Sequence, residues 1–171
     1  MTILTDLGAP CAALLKARGQ RVGVAESSAG GLISAALLSQ AGASAYFQGG
    51  GVIYTQAARE GLVRLEAADM AGLRSSSEPY ALLLARRTRL LLGADWGLAE
   101  TGAAGPSGNR YGDAPGHTCL AVVGPAAEDA GGQGLLIERV RTLETGSAHR
   151  EENMWAFTRA ALDLLESVLK E

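Results

Sequence analysis

Between a short apolar strand, Val22 to Ala25, and an apolar helix beginning at Leu32, the chain leaves only Glu26-Ser27-Ser28-Ala29-Gly30-Gly31. So short a joint forces the helix to start beside the end of the strand. It also gathers serine hydroxyls and backbone N–H groups at a helix N-terminus. The first N–H groups of a helix lack intrahelical acceptors and the dipole there is positive, so the position favours an anion or a developing negative charge. Two uses fit. Ser27 or Ser28 can be a nucleophile, with the amides of Gly30 and Gly31 as an oxyanion or phosphate cradle. Alternatively, the serines cap the helix and the glycines allow close packing. The joint alone does not choose between them.

Strands and helices alternate along the rest of the chain. Leu7 to Ala17 has helical periodicity and stops at Gly19, and Leu32 to Leu38 continues the helix opened by the glycines. Gly49-Gly50-Gly51 is expected to break the chain before a strand, Val52 to Thr55, which a helix over residues 56–62 follows. Ser75-Ser76-Ser77-Glu78-Pro79 is a helix start, with a capping serine and a first-turn proline, for a helix running to Leu92 and stopping at Gly93. Trp96 to Glu100, His117 to Val123 and Leu135 to Val140 are the remaining strands. A last amphipathic helix carries Met154, Phe157, Ala161, Leu164, Leu165 and Val168, and Trp96 and Trp155 are expected in the core. The alternation predicts one α/β domain with helices on both faces of a mainly parallel or mixed sheet of about five strands. A first helix complete after Met1 suggests a stand-alone domain over residues 1–171.

Composition narrows the partners. A net charge of −3 over 171 residues, with no run of like charge, draws the chain to neither nucleic acid nor an anionic membrane. The longest apolar runs are too short to span a bilayer. Cys11 and Cys119 stand far apart, which suggests free buried thiols in a reducing cytoplasm. The expected partner is a small nucleotide, and a homo-oligomer is compatible with the sequence. No HExxH, acidic triad or CxxC supports a metal site, and no cofactor is expected.

In α/β folds ligands collect where strands end and loops open into helices. The segments after Ala25, Tyr54 and Glu100 qualify, and all are rich in glycine or hydroxyls. The last, from Thr101 to Gly116, matches neither a Rossmann fingerprint nor a P-loop. Its length suggests a ligand loop, and its glycines equally suit a flexible surface loop. His117 and Cys119 face one side of a strand, but neighbours of that kind are expected to lie too far apart for a thiolate–imidazole pair. His149 and Arg150, ahead of the last helix, either reach an anion or cap and solvate that end.

Val24-Ala25-Glu26-Ser27-Ser28-Ala29-Gly30-Gly31-Leu32-Ile33 resembles the AESCTGGLI signature of the CinA C-terminal domain family, known for nicotinamide mononucleotide deamidase activity and for competence- and damage-inducible proteins. Gly42 to Phe47 resembles its GSSAVF turn, Gly50 to Tyr54 its GGVVSY strand and Ser76-Ser77-Glu78 its VSEE helix start. Thr101 to Gly108 is similar to TGIAGPDG, and Pro115-Gly116 falls where the family has a PVG turn. The resemblance implies a three-layer α/β/α sandwich that hydrolyses a nicotinamide carboxamide to a carboxylate and ammonia. By it, Ser27 takes the nucleophile position and Tyr54 the tyrosine position, while Ser28, Gly30, Gly31, Thr101, Gly102, Gly105, Arg110 and Arg150 are candidate substrate contacts.

The family's lysine position is Arg59 here, and its Cys-Thr is Ser28-Ala29. Neutralising a lysine at pH 7 costs about 4–5 kcal/mol, which burial can supply, whereas an arginine would cost roughly 9 kcal/mol. Arg59 is therefore a poor general base. The lysines, Lys16 and Lys170, lie near the chain ends. Two expectations follow: an amidohydrolase in which Tyr54 relays the proton while Arg59 lowers the tyrosine pKa or holds the substrate, or an impaired relative that binds a nucleotide without turning it over.

Overall fold

A strand that is apolar on both faces must be covered on both, and every residue of β1 (Val22–Glu26) is buried. In the computed structural model, which describes residues 3–127 and 134–171, β1 lies second in a five-stranded sheet of order β2-β1-β3-β4-β5. The expectation attached to Met1 falls outside the described residues. β2 (Phe47–Val52) and β3 (Trp96–Ala103) pair parallel with β1, placing Val24 between Gly50 and Leu98. β4 (His117–Pro125) and β5 (Leu136–Glu144) continue the sheet antiparallel. The sheet is mixed, as expected.

Side chains alternate across it. Val22, Val24, Trp96, Leu98, Leu120 and Val122 pack against α1 (Leu4–Arg18), α2 (Leu32–Leu38) and α5 (Arg150–Leu169). Ala25, Ala99, Cys119, Ala121 and Val123 face the other way, toward α3 (Gln56–Val63) and α4 (Glu78–Leu92). The three layers are thus α/β/α. Trp96 is fully buried, whereas Trp155 is half-buried at the margin of the first core. Cys11 and Cys119 are both buried and free. No helix among the described residues is long and apolar enough to cross a membrane.

Local signals place the helices. Gly19 and Gly93 end α1 and α4 in the left-handed conformation, and the Ser77 hydroxyl caps α4 by accepting from the Tyr80 N–H. Strand boundaries differ from expectation, most of all in β2, β3 and β5. The glycines at 49–51 do not break the chain: they lie inside β2, and Ile53 and Tyr54 follow it in a loop. The absent side chain of Gly50 lets α2 lie close, because a Cβ there would fall 2.5 Å from Ser34 Oγ. Thr101, Gly102 and Ala103 extend β3 rather than open the loop, since β4 pairs with them through Cys119, Thr118 and His117. β5 likewise runs on to Glu144, opposite His117.

α4 lies close on β3, where a Cβ on Gly97 would stand 2.0 Å from the Ala85 carbonyl oxygen. Both partners are backbone in regular elements and neither can yield. Gly97→Ala is therefore expected to lower stability by about 2–3 kcal/mol, the cost of overpacking a filled core. Urea unfolding checks it, and an unchanged midpoint would show that the helix lifts freely.

Candidate active site

The parallel strands β1, β2 and β3 deliver their C-terminal ends to one edge of the sheet. There a cleft of about 340 Å³ is lined by Ser27, Tyr54, Arg59, Thr101, Gly102 and Arg110, with Ser76, Tyr80 and Tyr111. All three segments expected to converge do so. Ser28, Gly30, Gly31, Gly105 and Arg150 lie outside the lining.

Two buried carboxylates hold the joint that carries Ser27. Glu26 ends β1, and its side chain turns back over the start of α2. Its Oε2 accepts from the N–H groups of Gly31 (2.9 Å) and Ile33 (3.1 Å), and its Oε1 from the N–H (2.9 Å) and hydroxyl (2.6 Å) of Ser34. Glu100, one strand over, accepts at Oε2 from the N–H groups of Ser27 and Ala29, both at 2.9 Å, and at Oε1 from the Thr118 hydroxyl at 2.8 Å. Both glutamates are 0% exposed. A carboxylate so deep is tolerable only because charge-assisted hydrogen bonds replace its water. Burial pushes the Glu100 carboxyl above its ordinary range and the charge of Glu26 adds to this, against the pull of Ala29, Ser27 and Thr118.

The expected cradle therefore needs correction. The Gly31 N–H is taken by Glu26 and the Gly30 N–H by the Ser27 carbonyl at 3.1 Å. The protein's own carboxylate occupies the anion position of the helix. What the joint presents instead is Ser27, whose backbone is fixed by Glu100 and whose hydroxyl has no partner among the described residues. Glu26 and Glu100 end buried strands in the sequence, where an acidic residue is costly unless paired; that was the available signal.

Arg59 lies in α3, which Thr55 caps by accepting from the Ala58 N–H at 3.1 Å. Its guanidinium acts on Tyr80: burial raises the Tyr80 phenol, and the hydrogen bond and charge of Arg59 only partly offset it. The Arg59 Nε is buried without an acceptor among the described residues. Arg150 takes the position next to Tyr54. From the first turn of α5 it donates to the Gly105 carbonyl at 2.6 Å and to Tyr54 Oη at 3.1 Å. The Tyr54 hydroxyl is thus met by Arg150, and Arg59 meets Tyr80. Neither lysine is near: Lys16 donates to Ala41 and Lys170 pairs with Glu166.

The segment after β3 is an organised loop rather than a loose one. Asn109 Oδ1 accepts from the N–H groups of Tyr111 (3.0 Å) and Asp113 (3.2 Å), and Arg74 clamps Asp113 through two bonds of 2.6 and 3.1 Å. Tyr111 lies under Arg74 and Arg110, and the hydrogen bond from Arg110 holds its phenol below the ordinary value. Next to the loop, Cys119 Sγ stands 3.6 Å from His117 Nε2, closer than expected, because the long imidazole spans the gap between strand neighbours. Burial raises the Cys119 thiol, which opposes a thiolate there. His149 sits at the N-cap of α5 without a side-chain cap bond. Among the described residues no three His, Cys, Asp or Glu side chains form a group that could hold a metal ion.

A family model for the CinA C-terminal domain matches residues 4–169. A CinA-like protein of Anaeromyxobacter dehalogenans (strain 2CP-C) is 44% identical over 118 residues, 69% of this chain and 29% of the relative. Another, from Anaeromyxobacter sp. (strain Fw109-5), is 36% identical over 165 residues, 96% of this chain and 38% of the relative. The chain thus spans about a third of these relatives. Among solved structures, a competence-damaged protein (CinA) superfamily protein from Klebsiella pneumoniae superposes with a TM-score of 0.84 at 26% identity, covering 99% of each chain. The competence/damage inducible protein CihA from Agrobacterium tumefaciens gives 0.82 at 27%, covering 100% of each.

Glu100→Gln keeps the shape of the side chain, with its carbonyl oxygen toward the Ser27 and Ala29 N–H groups and its NH₂ toward the Thr118 hydroxyl, which must turn to accept. It is expected to cost about 2 kcal/mol, because charge-assisted hydrogen bonds become neutral ones. Chemical unfolding measures the loss; a cost below about 1 kcal/mol would mean that the Ser27–Ala29 turn does not depend on the charge of Glu100.

Proposed function

The chain belongs to the CinA C-terminal domain family, and from that premise and the cleft we propose that it is a nicotinamide-nucleotide amidohydrolase. It hydrolyses the carboxamide of nicotinamide mononucleotide to nicotinate mononucleotide and ammonia. The observation that carries this reading is Ser27: an unpartnered hydroxyl on a clamped backbone, in a cleft whose charged lining is Arg59 and Arg110 with no carboxylate.

Ser27 Oγ attacks the carboxamide carbon, and its proton passes by way of Tyr54 to the leaving nitrogen. The C–N bond breaks, ammonia departs and an ester to Ser27 remains. Water then adds to the ester carbon, and cleavage of the C–O bond yields the carboxylate and restores the hydroxyl. Arg59, charged at every working pH, takes no part as a base; with Arg110 it holds the anionic part of the nucleotide. The oxyanion is met by the Ser28 N–H, which has no acceptor among the described residues and follows the nucleophile directly.

Arg59 also favours a second reading, a protein that binds the nucleotide without hydrolysing it, because no lysine stands near the cleft. Ammonia and nicotinate mononucleotide formation, measured with Ser27→Ala in parallel, separates the two. Turnover reduced at least 10³-fold in the variant, with affinity within a few fold, is expected for a nucleophile. Binding without turnover in either protein supports the second reading, and equal turnover in both removes Ser27 from the mechanism. Arg59→Lys is expected to raise the rate if the missing lysine limits it; no gain would assign Arg59 to binding alone.

A further inference from the structure

His117 opens β4 behind the cleft and is buried. Both of its ring nitrogens face acceptors. Nδ1 meets Glu144 Oε1 at the end of β5, and Nε2 lies 3.0 Å from the Ser76 carbonyl oxygen. A neutral imidazole carries one N–H and an imidazolium two, so only the cation donates to both at once. Its other neighbours are Asp113, 3.7 Å from Nε2 and ionised by its bonds to Arg74 and Asn109, and Cys119 at 3.6 Å. Glu78, at the start of α4, reaches the group through the Thr142 hydroxyl. Burial pulls the His117 pKa down, but Glu144, Ser76 and Asp113 outweigh it and leave the value raised.

The carbonyl that His117 holds belongs to a residue in an unusual conformation. Ser76 has a φ of 56°, a region seldom occupied by residues other than glycine, asparagine and aspartate. Its N–H donates to Thr101 Oγ1 at 3.2 Å, and both residues line the cleft. A continuous chain of contacts therefore leads from the imidazole to the wall of the site.

We propose that His117 is a positioning residue for the cleft: as an imidazolium bridging Glu144 and Ser76, it holds Ser76 in the left-handed conformation that sets the wall formed with Thr101. The inference rests on the reading of the cleft as the ligand site. When the proton leaves, one of the two acceptors loses its donor and the hold on Ser76 weakens. The sign follows from the raised value. Stability from this bridge is complete below the unfolded pKa of about 6.5 and fades as pH rises through the folded value.

The first test needs no ligand. Ring ¹⁵N resonances of His117 in the full chain, followed across pH, are expected to show both nitrogens protonated above about pH 6.5. The amide resonances of Ser76 and Thr101 should move with the same midpoint. A neutral ring at that pH, or amides that ignore the titration, overturns the proposal whatever the cleft binds.

The second test measures the Kd for nicotinamide mononucleotide by calorimetry over the same range. Wild-type affinity is expected to fall about tenfold or more through the His117 titration, the worth of one charged hydrogen bond. Ser76→Gly, which adopts a positive φ freely, should bind with no such pH dependence. His117→Gln should bind more weakly at low pH, and adding Ser76→Gly should restore it. A Ser76→Gly variant that keeps the full pH dependence overturns the role. If nicotinamide mononucleotide binds to no form, the proposed substrate fails and the resonances alone decide the role of His117.

Discussion

Two carboxylates with no access to water hold this site together. Glu26 and Glu100 lie on adjacent parallel strands, and between them they accept the N–H groups of Ser27, Ala29, Gly31, Ile33 and Ser34. Seven residues of α2 are too few to form a helix by propensity alone. The helix exists because Glu26 satisfies its first turn and the first core buries Ile33, Ala36 and Leu37. Ser27 inherits its position from the same arrangement, held by a side chain from the neighbouring strand. Ser27, helix and sheet are therefore one unit, and a change to either carboxylate acts on all three.

Much of this was legible in the chain. The helices follow from capping residues and periodicity that agree with each other: Ser77, Pro79 and Gly93 bracket α4, and Gly19 ends α1. Strand limits were harder to read because they depend on partners. Glycine normally weakens a strand, yet Gly49 to Gly51 lie in one, as β1 supplies the pairing and α2 packs too closely for a side chain at Gly50. Thr101 to Ala103 read as loop until β4 pairs with them.

The site was legible at the level of which segments meet, and less so at the level of which atoms are free. Its three segments could be named from strand ends alone. That Gly31 had already given its N–H to Glu26 could not, because the sequence does not show where a buried side chain turns. The same holds for Arg150, separated from Tyr54 by 96 positions yet hydrogen-bonded to it, and for Ser76, whose positive φ is set by contacts with β3 and β4.

These occupied amides decide how the cleft can treat an anion. A free helix N-terminus acts as roughly half a positive charge, and here Glu26 cancels it. A phosphate must then find its charge elsewhere, and the lining offers Arg59 and Arg110. Lysine and arginine are not equivalent for this purpose. A lysine can surrender its proton when buried and so serve catalysis, whereas arginine remains charged and offers a planar fork suited to phosphate or carboxylate. With arginine at position 59, binding charge is gained where a proton acceptor is given up. In the proposed mechanism proton transfer falls to Tyr54, whose hydroxyl accepts a hydrogen bond from Arg150. On that proposal the roles of base and anchor, which one lysine could alternate between, are divided between a phenol and two guanidinium groups.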